Sequence, residues 1–130
     1  MTIPLWSLLI GGVLPYVWHF TSLPLKMKQF GDLDINEPRA KNEQLTGSAA
    51  RAVGAQANAW EALTLFAVAN LAAFMAGVDP AGSWSTAAMI WVVARSLHGI
   101  IYIAGYGLVR MACFAVGVGM SFWILAMSVM

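Results

Sequence analysis

Arg51, Asn58 and Glu61 interrupt one long apolar segment of the chain, Arg95, His98 and Tyr102 interrupt another, and Arg110 opens a third. A charge in hydrocarbon costs roughly 3 kcal/mol even on lenient insertion scales, so such residues mark a pathway or a site. Three guanidinium groups against one carboxylate leave a surplus of two positive charges, with Lys26 and Lys28 adding more at the rim. That surplus calls for an anion carrying carboxylates or a thiolate, while Glu61 can pair with an arginine or receive a ligand's ammonium. The start of the helix bearing Arg51 adds a partial positive charge.

The elements that must position these residues are membrane helices. Sixty per cent of the 130 residues are hydrophobic and ten per cent charged, and the mean hydropathy is +0.72. This composition predicts an all-α integral membrane protein of one domain, residues 1–130. The apolar runs predict four transmembrane helices at about 2–25, 49–77, 83–105 and 108–130, with a charged loop at 26–48. Pro15 is placed to kink the first, a Gly-Val-Asp-Pro run stops the second, and Gly105-Tyr106-Gly107 breaks the third from the fourth. The first run lacks a preceding Lys or Arg and an A-x-A-like cleavage site, so it reads as a retained helix. A net charge of +1 gives no nucleic-acid signature, and the lone Cys113 excludes an intrachain disulfide and a multi-cysteine metal site; no metal is expected.

The long loop holds four Lys/Arg and Arg110 lies at the turn between helices three and four, whereas the opposite side has none. The positive-inside rule therefore puts the loop in the cytoplasm and both termini on the other side, with Trp6 and Trp84 near the outer interface. At about 1.5 Å per residue, Asn58, Glu61, His98 and Tyr102 lie roughly 22–28 Å from the outer ends of their helices, in the cytoplasmic third of a layer about 30 Å thick. Asn70 is nearly alone in the outer half. The pattern is a cup open to the cytoplasm, which weakens a reading as a proton-coupled transporter.

Arg51, Asn58 and Glu61 fall within about 80° of one another on helix two, as do Arg95, His98 and Tyr102 on helix three. Gln56 points about 160° away from Asn58. A polar side chain disfavours lipid, so Gln56 is expected to meet a helix of a second copy, in a symmetric oligomer with sites at subunit boundaries. Blander readings accompany several residues. Arg51 could snorkel to lipid phosphate, Glu61 and Arg95 could form a structural ion pair, and His98 could be an interior hydrogen-bonder. His19 reads as structural and Cys113 as a buried filler. The Gly/Ala-rich faces of helices two and four are packing surfaces, and the loop's Asp32, Asp34, Glu37, Arg39, Lys41 and Glu43 read as a solvated or locally paired surface.

The run from Arg51 through Gln56, Asn58 and Glu61 to Leu65-Phe66 resembles the helix-two signature of the MAPEG family, the membrane-associated proteins of eicosanoid and glutathione metabolism. Ala94-Arg95, His98 and Tyr102 match its A-R-x-x-H-x-x-x-Y helix-three pattern, and Asn36-Glu37-Pro38-Arg39 with Leu45-Thr46-Gly47 resembles the bacterial branch. The similarity covers essentially the whole chain.

The resemblance implies a homotrimer of four-helix subunits with helix two near the three-fold axis, in a bacterial inner membrane. It implies glutathione as cosubstrate at each cytoplasmic subunit interface, bound by Gln56, Asn58, Glu61, Arg95, His98 and Tyr102, with Arg51 and Lys26 or Lys28 supplying further cations. Arg110 would stabilise the thiolate. The activity implied is that of a microsomal-type glutathione transferase or peroxidase acting on lipophilic electrophiles or lipid hydroperoxides. Gly54 stands where many members carry arginine, and Ala62 where many carry an aromatic or polar residue. These departures favour the alternative, a non-catalytic lipid-binding or scaffold protein of the same family.

Overall fold

The computed structural model describes all 130 residues and consists of four long helices without strands. Helix α1 spans Ile3–Phe30, α2 Gly47–Met75, α3 Ser83–Ala104 and α4 Gly107–Met127. Each is long and apolar enough to cross a bilayer, and the expectation of an all-α four-helix bundle holds.

Local chemistry sets the helix ends. Pro4 lies in the first turn of α1, where its missing N–H would have had no partner anyway. α1 then runs past Leu25 to Phe30, because Lys26–Gln29 are good helix formers with no breaker among them. Gly31, at φ 85°, closes it in the left-handed region and donates its N–H to Met27 O at 2.8 Å. Lys26 and Lys28 thus stand on the last turns of a helix and not in a loop. The connection to α2 contains one tight helical turn at Asn42–Gln44. It is pinned to α1 by Gln29, whose Oε1 accepts from Thr46 N–H at 3.3 Å and whose Nε2 donates to Thr46 Oγ1 at 3.2 Å.

α2 and α3 form the centre, and α1 and α4 each pack against both. In the half of the bundle away from the α1–α2 connection, Phe66 of α2 stacks on Trp91 of α3 with centroids 3.8 Å apart, among Ala69, Ala73, Ala88 and Ile124. Asn70 is satisfied there: its Nδ2 donates to Phe66 O at 2.7 Å and its Oδ1 accepts Trp84 Nε1–H at 2.8 Å. Trp84 is therefore a core residue, 3% exposed, and does not serve in an aromatic belt. Trp6, by contrast, is exposed.

Nearer the loop, Trp18 packs with Leu14, Ala55 and Ala59. Gly99 of α3 makes the approach of α1 possible, since a β-carbon there would overlap the Trp18 indole, whereas one at Gly12 would meet nothing. One stripe of α2 stays uncovered: Ala57, Glu61, Thr64, Val68, Leu71 and Met75 are all exposed. Their spacing alternates between four and three, which is the pattern of a left-handed helix–helix seam.

The glycine contrast gives a test in detergent. Gly99→Ala should lower stability by about 1–3 kcal/mol through overpacking, while Gly12→Ala should be neutral or stabilising by up to about 1 kcal/mol. Equal melting temperatures for the two variants would refute the packing account.

Candidate functional site

Arg95 is 3% exposed at the centre of the bundle. Its Nη2 donates to Asn58 Oδ1 at 2.6 Å and to the Asn58 backbone oxygen at 3.2 Å. Asn58 in turn donates from Nδ2 to Glu61 Oε2 at 3.3 Å. Guanidinium and carboxylate are thus joined through a carboxamide, with no direct ion pair within 4.0 Å. The Asn58 amide can do this because its oxygen accepts on one side and its nitrogen donates on the other. Arg95 Nη1 is buried without a partner. α4 makes room for the side chain at Gly117, where a β-carbon would stand 2.7 Å from Arg95 Cδ.

One to two turns closer to the loop side, the other two arginines meet the α3–α4 turn. Arg51 Nε donates to Ile103 O at 2.9 Å, satisfying one of the carbonyls left free at the end of α3. Its guanidinium lies flat against Gly105, whose φ of 93° and missing side chain both serve the turn. Arg110 Cζ sits 4.4 Å over the Tyr102 ring, a cation–π contact. Together Arg51, Tyr102, Tyr106 and Arg110 line a cavity of about 220 Å³. His98, 2% exposed, meets the Tyr102 ring edge-on with centroids 5.6 Å apart. Tyr102 has a further constraint, because a β-carbon at Gly54 would come within 2.7 Å of its hydroxyl. The glycine at 54 and the placement of Tyr102 under Arg110 are therefore one packing solution.

Lys26 and Gln56 lie elsewhere. They line a second cavity of about 540 Å³ between the end of α1, the loop and α2, together with His19, Arg39, Asn42 and Trp60. Gln56 thus borders a cleft of its own chain, with its outer side open. The Trp60 ring is braced edge-on by Tyr16, centroids 5.5 Å apart.

The nine residues singled out from the sequence consequently form two groups on opposite faces of α2. Arg51, Asn58, Glu61, Arg95, His98, Tyr102 and Arg110 gather on the α3–α4 side, and Lys26 and Gln56 on the α1 side. Arg39 and Asn42 join the second group unannounced, since a loop has no helical period from which a facing side chain can be read. No three His, Cys, Asp or Glu side chains cluster as metal ligands would, and Cys113 is half-buried.

The description "MAPEG family" belongs to a family model that matches residues 3–130, nearly the whole chain. No curated protein and no solved structure gives a significant match.

Asn58→Ala should destabilise the fold by about 1.5–3 kcal/mol, the range for losing a hydrogen bond to a charged group. Chemical or thermal unfolding in detergent measures it, and a loss under about 0.5 kcal/mol would mean that Arg95 is held by something other than this bridge.

Proposed function

The chain belongs to the MAPEG family and is an integral membrane protein, and from that premise we propose that it is a glutathione-dependent transferase or peroxidase of lipophilic substrates. The observation that carries the proposal is the opposed placement of two polar groups on α2. Neither group alone surrounds a tripeptide, but the α3–α4 face of one subunit and the α1 face of the next would enclose one between them. The uncovered seam of α2 supports that assembly: Glu61 within it is a charge that lipid would not solvate, and subunits meeting along α2 would shelter it. The assembly is a homotrimer with α2 near the three-fold axis, in a bacterial inner membrane with loop and sites on the cytoplasmic side.

Glutathione is the cosubstrate. Glu61, bridged to Arg95 by Asn58, receives its ammonium. Lys26 and Gln56 of the neighbouring subunit take a carboxylate and an amide. Arg51, His98 and Tyr102 complete the wall, and Arg110 faces the sulfur. A free thiol with a pKa of about 8.5 is only a few per cent ionised at neutral pH. An adjacent guanidinium lowers that by about 1–3 units. The thiolate then attacks an electrophilic carbon, forming an S–C bond as the leaving group departs. With a lipid hydroperoxide it attacks the distal oxygen, releasing the alcohol, and a second glutathione converts the resulting sulfenic acid to disulfide and water. The substrate arrives laterally from the bilayer, and no protein side chain is modified. The competing reading is a scaffold that binds lipid without turnover, favoured by Gly54, whose space Tyr102 takes where many relatives carry arginine.

Isothermal titration of the detergent-solubilised protein should show glutathione binding in the micromolar to millimolar range. Absence of binding would overturn the transferase reading and support the scaffold one. Arg110→Ala should raise the pKa of bound glutathione by about 1–3 units, followed by thiolate ultraviolet absorbance. An unchanged pKa would exclude Arg110 as the activating group.

A further inference from the structure

On the side of the bundle turned away from α2, a groove runs between α3 and α4. Arg95 of α3 reaches Asn58 of α2, and Val93 and Leu97 leave the same helix about 160° from it. Both line a hollow of about 430 Å³ whose walls are apolar throughout. Its depth comes from the short side chains of Ala94, Ala112 and Cys113. Ile90 belongs also to a second hollow of about 350 Å³ nearer the α2–α3 turn, so the two are one groove. That far end is polar: Ser83, Thr86 and Trp123 line it and are exposed. The neighbouring Trp84 and Ser85 donate inside the fold, to Asn70 Oδ1 and to the Pro80 carbonyl. The hydroxyls of Ser83 and Thr86 and the Trp123 indole N–H have no partner in the chain.

Lipid tails are as apolar as leucine, so an apolar wall alone gives a bilayer chain no reason to stay. Polarity and length together select an occupant. Donors stand at one end only, where the phosphate and ester oxygens of a lipid would accept them while its tail fills the dry end. Thr86 to Leu97 spans about 17 Å at 1.5 Å per residue, close to half of a hydrocarbon layer about 30 Å thick. That is the reach of one acyl chain in one leaflet. The adjoining α2–α3 turn carries a single charged side chain, the exposed Asp79, whose Oδ1 accepts Ala81 N–H at 2.9 Å. A carboxylate there repels an anionic headgroup and attracts an ammonium. Subunits assembled around α2 would leave this groove on the lipid-facing surface.

We propose that the α3–α4 groove binds one zwitterionic phospholipid of the leaflet opposite the loop. Its phosphate and ester oxygens meet Ser83, Thr86 and Trp123, its ammonium lies toward Asp79, and one tail runs down to Cys113. The site is separate from the arginine-lined cavity and does not depend on the glutathione reading.

The test uses the whole protein in nanodiscs of phosphatidylethanolamine, doped with an analogue carrying a photoactivatable diazirine at the end of one tail. Irradiation and peptide mapping should place the label mainly at Leu97 and on the turn from Ala112 to Val116. A112W, which fills the dry end, should cut that labelling roughly fivefold, while A115W, equally exposed on α4 but outside the groove, should leave it at the wild-type level. S83A combined with T86A should also lower it, and a phosphatidylglycerol probe should label more weakly. Label spread evenly over the lipid-facing helices, or A112W indistinguishable from A115W, means ordinary annular lipid and overturns the site. Stronger labelling by the phosphatidylglycerol probe overturns the headgroup assignment. Cross-linking of Cys113 to Cys113 between copies by a short bismaleimide overturns the lipid reading in favour of a contact between chains.

Discussion

A guanidinium in hydrocarbon must be given polar partners, and the way Arg95 obtains them governs much of this bundle. Its partner is Asn58 on the facing helix, which passes the interaction on to Glu61. A direct buried ion pair would neutralise both charges and freeze them together. The bridging amide instead leaves Glu61 on the exposed seam and Arg95 with one unpartnered nitrogen. Both charged ends keep unsatisfied capacity, which is what a binding site needs and a purely structural bridge does not. The arrangement requires α2, α3 and α4 to approach closely at one level, and Gly117 supplies the clearance.

The other two arginines act on the α3–α4 turn in different ways. Arg51 spends its Nε on the end of α3, which ties the beginning of α2 to the turn that launches Arg110. Arg110 is aligned by the Tyr102 ring, and Tyr102 in turn by the absence of a side chain at Gly54. The Tyr102 ring takes the space that a side chain at position 54 would need, and the cavity between Arg51 and Arg110 stays open beside it. Outside this zone the helices are held by apolar contacts of small residues and stacked aromatics, with Asn70 and Trp84 satisfying each other.

α2 is accordingly a two-sided element. One face carries the arginine network, the other borders the Lys26–Arg39 hollow, and the seam between them is uncovered. A helix of this kind can serve two sites at once if copies of it surround an axis. The proposed trimer would use that geometry, with one subunit activating the sulfur and its neighbour holding a carboxylate.

Class, helix number and the level of the polar residues were legible in the sequence, because hydrocarbon imposes a minimum span and a high cost for charge, and both are visible in composition and spacing. The 3.6-residue period also separated Gln56 from Asn58. The partners were not legible. Period and depth say which way a side chain leaves its own helix, but not which atom of another helix it meets. So the amide bridge from Arg95 to Glu61, the turn carbonyl taken by Arg51, the burial of Trp84 and the use of Gly54 by Tyr102 were decided only when the helices packed. The end of α1 and the placement of Arg39 were likewise tertiary outcomes: a loop has no repeat to read, and its conformation is settled by the hydrogen bonds that pin it to neighbouring helices.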